Sequence, residues 1–192
     1  MRNEIEEFFD ELAPSWDKRN TTTNEELETL LDLLPLKTDM NVLDVACGTG
    51  ILTGLLAKRT HKKVIGIDLS MNMIDIANEK YKCNRDVEFI KQDFLYYETS
   101  NIDLVMIHNA YPHFLEPIKV KNEAFKILNK NGYLVILHSL SRASLNMHHS
   151  NVRHVSRMLE EPYVETKIYL PEFEVIKAEE DGSHYLIVLK KK

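Results

Sequence analysis

Apolar positions recur along this chain in two spacings, and the spacing separates helices from strands. Ile5, Phe8, Phe9 and Leu12 fall on one face of a helix over residues 4–12, which Pro14 ends. Trp16 follows in a polar stretch running to Asn20. Thr23 and Glu26 form a T-x-x-E capping box, after which Leu27, Leu30, Leu31 and Leu34 repeat at i, i+3, i+4 and i+7 until Pro35. From there short apolar runs alternate with helical ones. Residues 42–45, 64–67, 87–90, 102–107 and 133–137 read as strands. A glycine-containing turn and an apolar helix to about residue 58 follow the first strand. Residues 71–81 form a helix with Ile74, Ala77 and Tyr81 inward, and residues 116–128 another, with Asn131-Gly132 as its C-terminal stop. After an insert, residues 173–177 and 185–189 flank a polar EEDGSH turn and read as a hairpin.

Strands separated by helices imply parallel βαβ units and a sheet covered on both faces, with antiparallel strands added at one edge by the hairpin. Ligands in such folds sit beyond the carboxyl ends of the strands. The loops after residues 45, 67, 90, 107 and 137 therefore surround one crevice.

Composition narrows the class. The 192 residues are 44% hydrophobic and 28% charged, which suits one domain with a sizeable core. A net charge of −6 gives no case for broad phosphate-backbone binding, so no nucleic-acid partner is expected. The acidic N-terminus lacks an apolar leader, and no stretch approaches a membrane span. Cys47 and Cys83 make neither a zinc pattern nor a disulfide framework. A cytoplasmic protein, monomeric or homodimeric, with no membrane partner is the simplest expectation.

The first strand runs into DVACGTG, residues 44–50. Glycines at a strand-to-helix turn let the backbone approach a ligand, and the helix N-terminus adds a positive dipole. The second strand ends in VIGIDLS, placing Asp68 24 positions after Asp44, where a carboxylate can accept from both hydroxyls of a ribose. The glycines do not fit a dinucleotide fingerprint: after Gly48 and Gly50 the next is Gly54, one position late. Asp44 would repel a pyrophosphate and suits a cation.

VLDVACGTG (42–50), VIGIDLS with the following MI (64–74) and QDF (92–94) resemble the cofactor motifs of class I S-adenosylmethionine-dependent methyltransferases. FFDELAPSWDKR resembles the start of many small-molecule members, including the quinone C-methyltransferases. The resemblance implies a Rossmann-like α/β fold: a seven-stranded, mostly parallel sheet of order 3-2-1-4-5-7-6, helices on both faces and a C-terminal hairpin. It implies one methyltransferase domain over residues 1–192, with residues 1–22 as an N-terminal helix and lid and residues 140–170 as a substrate-side insert. It implies S-adenosylmethionine as cofactor. Asp44 and the Gly48, Thr49 and Gly50 backbone would hold the methionine part, and Asp68 the ribose. Leu69 and Met73 would flank the adenine, with Asp93 and the Phe94 backbone at its amino edge. Phe8 and Phe9 read as packing residues. Trp16 lies off their stripe and could line the site as part of the lid.

In such a fold HNAYPHF, residues 108–114, lies over the transferable methyl. It lacks the (N/D/S)-P-P-(Y/F/W) loop of enzymes methylating adenine, cytosine or glutamine nitrogens, which points to a small-molecule acceptor. Six of the 8 histidines fall between residues 108 and 154. LVMIH and LVILH end two strands expected to be neighbours, so His108 and His138 are expected side by side. Three readings of His108, His113 and His138 stay open: hydrogen-bonded polar lining, general base, or metal ligands together with His148 and His149. His108 could also touch the cofactor. The insert from Leu140 to Leu159 holds Arg142, Arg153 and Arg157 and no acid, which suggests an anionic acceptor. Tyr111, Arg142, His148 and Arg153 are the candidate acceptor contacts. Rival readings are a nucleotide-dependent oxidoreductase, a non-catalytic cofactor-binding protein, and a transferase that uses a metal or takes a metal-bound or tetrapyrrole-like acceptor.

Overall fold

The computed structural model describes residues 2–152 and 154–192. Three helices come first: α1 (Arg2–Leu12), α2 (Trp16–Arg19) and α3 (Asn24–Leu31). The alternating part is β1 (Val42–Val45), α4 (Ile51–Thr60), β2 (Val64–Asp68), α5 (Met71–Lys80), β3 (Val87–Lys91), β4 (Ile102–His108), α6 (Pro117–Ile127) and β5 (Leu128–His138). The insert carries α7 (Arg142–His149) and α8 (Pro162–Glu165), and the hairpin is β6 (Phe173–Glu180) with β7 (Tyr185–Lys191). The sheet has seven strands in the order β3-β2-β1-β4-β5-β7-β6. The first five strands pair in parallel, and β7 is antiparallel to both β5 and β6. This is the expected architecture.

Strand alternation divides the core in two. Leu43, Val45, Ile107, Ile136 and Ile187 join Val120 and Ala124 of α6 on one face. Val42, Leu104, Met106 and Val135 join Leu27, Leu56 and Ile74 of α3, α4 and α5 on the other. Burial of each such aliphatic side chain stabilises the fold by roughly 1.5–3 kcal/mol before entropy is counted. Both capping-box bonds form: Thr23 N–H donates to Glu26 Oε2 at 2.7 Å, and Glu26 N–H donates to Thr23 Oγ1 at 3.2 Å.

The polar stretch after Pro14 is one 3-10 turn followed by α2, which carries Trp16. One local expectation differs from the structure. Asn131-Gly132 does not stop α6. The helix ends at Ile127 and the strand begins at Leu128, with Asn131 at φ 65° inside it. The pairing register with β4 shifts there, from Ile102↔Leu128 to Leu104↔Tyr133. A Cβ on Gly132 would stand 2.9 Å from the Asn129 carbonyl oxygen, so the Asn-Gly pair makes a bulge with no room for a side chain.

The register also separates the two strand-end histidines. His108 pairs with Leu137, and His138 pairs with Tyr185 one strand further on. An offset of one residue sends side chains to opposite faces. His108 and His138 are therefore not side by side.

Candidate active site

The carboxyl ends of β1, β2, β3 and β4 open into a cleft of about 510 Å³. Its floor is the loop after β1. Ala46, Gly48 and Gly50 have φ of 55°, 54° and 81°, so the backbone reverses tightly before α4. At Gly50 a Cβ would lie 2.5 Å from the Phe89 ring, so any side chain would collide there. Gly50 accordingly shapes the turn from beneath, whereas Gly48 and Thr49 line the cleft.

Two carboxylates stand at the floor. Asp44 is 1% exposed, and its Oδ2 accepts from Thr53 Oγ1 at 2.6 Å. Burial raises its pKa to about 7, with the Thr53 bond opposing the rise and Asp68 adding repulsion. Asp68 is also buried; it accepts from Gly48 N–H at 2.8 Å and Ser70 N–H at 2.9 Å. Burial raises its pKa to about 6 in spite of those donors. Neither has a lysine or arginine partner among the described residues. Two desolvated acids without a counter-ion make a site that favours a cation or a hydroxyl-rich ligand. Beside them Leu69 and Met73 form an apolar wall, and Asp93 and Phe94 close the far side. Asp93 Oδ1 is fixed by Leu95 N–H at 3.0 Å.

The N-terminal helices form the roof. Asp10 accepts from the Ser70 hydroxyl and from Asn72 N–H, which ties α1 to the start of α5. Asp17 accepts from Thr49 Oγ1 at 2.6 Å and pairs with Lys80 at 2.7 Å. Although desolvation opposes it, Lys80 and Thr49 bring the Asp17 pKa below its usual value. Trp16 Nε1 sits 3.5 Å from where a Cβ on Gly48 would be. Phe9 lines the cleft, edge-on to His113 at 4.8 Å and to Trp16 at 5.7 Å. Phe9, Asp10 and Asp17 escaped the sequence reading, because a residue on a helical apolar stripe looks the same whether it faces a core or a ligand. The resemblance of FFDELAPSWDKR to the start of such enzymes gave Asp10 and Asp17 no individual roles.

At the end beyond β4, His108, His113, His148 and His149 line the cleft. His113 and His149 meet edge-on at 5.1 Å. Loss of water lowers the pKa of His108 and of His113 to about 4, so both rings are neutral near pH 7. His113 Nδ1 lies 2.8 Å from the Val155 carbonyl oxygen. A carbonyl only accepts, so Nδ1 carries the proton and Nε2 keeps a lone pair.

Other candidates lie elsewhere. His138 is fully buried on the opposite face, edge-on to Tyr185 at 5.8 Å, with neither ring nitrogen bonded. Burial holds its pKa well below the ordinary value. Tyr111 is also fully buried, bonded to the Tyr169 hydroxyl at 2.8 Å and covered by the Arg157 guanidinium 4.6 Å from its ring centre. Arg157 is held by Glu165 at 2.6 Å, and Arg142 by both oxygens of Glu180 at 3.1 Å. Neither arginine lines the cleft, and Arg153 lies outside the described residues. An acid eight residues on and one in the hairpin thus claim the two described arginines. Arg142→Ala will leave the acceptor KM unchanged in steady-state assays; a KM increase of tenfold would return Arg142 to the site. Among the described residues no three His, Cys, Asp or Glu side chains are grouped to hold a metal. None of the described helices is long and apolar enough to cross a membrane.

A family model described as a methyltransferase domain matches residues 36–186. Among curated proteins, the chain is 29% identical over 147 residues to the malonyl-acyl-carrier-protein O-methyltransferase of Marinomonas sp. (strain MWYL1), covering 75% of this chain and 54% of that protein. It is 29% identical over 158 residues to the ubiquinone/menaquinone biosynthesis C-methyltransferase UbiE of Campylobacter jejuni, covering 73% of this chain and 66% of that one. The chain thus spans between half and two thirds of the length of these relatives. A crystal structure of a SAM-dependent methyltransferase from Aquifex aeolicus matches with a TM-score of 0.71 at 20% identity, covering 100% of this chain and 99% of that one. At that identity the likeness shows a shared fold.

Proposed function

The chain belongs to the methyltransferase-domain family, and on that premise we propose that it transfers a methyl group from S-adenosylmethionine to a small molecule. The observation that carries this reading is the pair Asp44 and Asp68, two buried acids without a cationic partner at a glycine-cradled floor. Bound there, S-adenosylmethionine supplies an electrophilic methyl on a positively charged sulfur. Asp44 favours the cationic methionine part, and its neighbour Asp68 accepts from the ribose hydroxyls. Leu69 and Met73 hold the adenine by apolar contact, with Asp93 and the Phe94 backbone at its polar edge. Gly48 and Thr49 leave room for the ligand chain. Methyl transfer needs alignment more than covalent catalysis, and the residues of the floor and roof provide it.

Residues 1–22 act as the lid. Asp10 and Asp17 latch it to Ser70, Thr49 and Lys80, and Phe9 and Trp16 exclude water from the methyl. Residues 140–170 close the acceptor end through His148 and His149. The acceptor pocket there is aromatic and imidazole-rich, which suits a compact, flat molecule. The whole chain acts as one methyltransferase domain. Recognition of an anionic acceptor by the insert's arginines and the metal reading have no described residue grouping behind them.

His113, with its free Nε2 lone pair, is the group placed to take a proton from an acceptor. Because its pKa is lowered to about 4, the neutral form persists well below pH 6.5. With cofactor saturating, kcat/KM for the acceptor will stay flat from pH 8 to 5.5. An acid limb with an apparent pKa near 6.5 would show that His113 titrates as an ordinary exposed histidine.

The function itself is tested by titrating S-adenosylhomocysteine and NAD separately into the protein, followed by a screen of metabolite fractions with isotope-labelled methyl donor. Binding of S-adenosylhomocysteine and label in a product are expected. Binding of NAD alone would favour an oxidoreductase, and cofactor binding with no labelled product from any fraction would favour a non-catalytic binding protein.

A further inference from the structure

Three residues at the carboxyl ends of β4 and β5 form a chain of hydrogen bonds, and the donors of two of them are fixed by chemistry. Asn109 has φ 53°, a left-handed conformation that asparagine tolerates better than most residues. Its side chain reaches across to Ser139. The Ser139 backbone N–H donates to Asn109 Oδ1 at 2.9 Å. A backbone N–H can only donate, so the orientation of the Asn109 amide is determined. Asn109 Nδ2 must then be the other atom, and it donates to Ser139 Oγ at 2.8 Å. Ser139 Oγ lies 3.1 Å from His108 Nε2. With Asn109 donating to one lone pair, the serine hydroxyl still has its own proton to give, and the Nε2 lone pair of neutral His108 is its one protein acceptor among the described residues. A proton given there leaves the His108 proton on Nδ1, which has no protein partner among the described residues, and the ring lines the cleft.

We propose that Asn109 and Ser139 lock His108 as an Nδ1–H donor, and that this N–H holds an oxygen of the methyl acceptor, of the carbonyl, phenolate or carboxylate class. The role toward an acceptor rests on the methyl-transfer reading; the position of the proton does not. His108 is then not a proton-abstracting base. It complements His113, whose Nε2 presents a lone pair to the same end of the cleft. One imidazole donates and the other accepts. An acceptor carrying both an oxygen with spare lone pairs and a removable proton matches the two. Desolvation of His108, which lowers its pKa to about 4, keeps the ring neutral and the assignment valid across the working pH range. A donor fixed in advance stabilises charge on oxygen without reorganising. Asn109 and Ser139 are positioning residues in this scheme, since they act through His108.

The test is a nitrogen-15 histidine spectrum of the full chain at pH 8, with the His108 signals assigned by their absence in His108→Gln. The expected result is a proton on Nδ1, the opposite of the preference of free imidazole. A proton on Nε2 overturns the proposal. Asn109→Asp keeps an acceptor for the Ser139 N–H but turns the second bond round: the serine hydroxyl now donates to the carboxylate, and the proton of His108 moves to Nε2. Ser139→Ala, which removes the link, also returns the ring to Nε2–H. An Nδ1 proton persisting in both variants overturns the positioning role. These spectra can be taken without cofactor, so failure of S-adenosylhomocysteine to bind would refute the function and leave the proton assignment standing. The oxygen assignment is read with 4-nitrophenol as probe, S-adenosylhomocysteine being present. In the native protein the bound phenol will ionise at lower pH than in His108→Phe; identical absorbance titrations in the two proteins overturn the oxygen-binding role.

Discussion

Asp68→Ala will weaken binding of S-adenosylhomocysteine by about 100-fold or more, since two charge-assisted hydrogen bonds of about 1.5–3 kcal/mol each are lost and 1.4 kcal/mol is a factor of ten. The size of the effect follows from how the carboxylate is held. Gly48 N–H and Ser70 N–H grip its two oxygens at 2.8 and 2.9 Å. Each oxygen keeps further lone-pair capacity for a vicinal diol, and the group need not be reoriented when the ligand arrives. The same grip links the glycine loop to the end of β2, so the substitution also leaves the Gly48 N–H without its acceptor. Calorimetric titration measures the affinity, and the thermal midpoint of the variant separates loss of the site from loss of the fold. A folded Asp68→Ala protein that binds within threefold of the native affinity would refute the placement of the ribose.

Much of this site was legible in the sequence because it is local. A glycine turn after a strand, an acid at the end of the next strand and a short apolar wall after it are each fixed by neighbours within a few residues. Parallel pairing then brings them together, as Asp44↔Gly66 in the register of β1 and β2 shows. The parallel βαβ units follow from the same alternation of strand and helix, and the strand order is the one the family resemblance implied. What the sequence did not disclose depends on register and on side-chain partners that no periodicity specifies. LVMIH and LVILH look equivalent, yet an offset of one residue puts His108 in the cleft and His138 in the core. The arginines of the insert read as free charges until Glu165 and Glu180 are seen beside them. Asn131-Gly132 fits a helix stop and a bulge equally well, and the pairing with β4 decides for the bulge. Phe9 belongs to an apolar stripe whichever surface the helix covers, and here it covers the ligand cleft.

Asp44→Asn will have opposite effects on stability and on binding. Asp44 is 1% exposed, and Thr53 is its one side-chain donor among the described residues. Its pKa in the folded protein is raised from 3.8 to about 7, chiefly by desolvation. A raised carboxyl pKa means that the folded state binds the proton more tightly than the unfolded chain does. Stability therefore falls as pH rises from about 4 to about 7 and is level above that. Asparagine keeps the shape and the Thr53 contact but never ionises. The variant without ligand will match the native protein near pH 4 and exceed it above pH 7, by up to about 4 kcal/mol if the whole difference is realised. Binding runs the other way. The native protein takes up the cationic ligand with its Asp44 ionised, so affinity for S-adenosylmethionine will fall below pH 7, by up to about tenfold per pH unit for one linked proton. In Asp44→Asn the affinity will be lower at pH 8 and that contribution to its pH dependence will be gone. Thermal unfolding and calorimetry across pH 5 to 8 measure both. A variant less stable than the native protein at pH 8, or one whose affinity keeps the native pH slope, would show that Asp44 is not a desolvated acid awaiting a cation. The destabilisation that burial imposes on the ligand-free protein is thus the same interaction that gives the cleft its preference for a positively charged ligand.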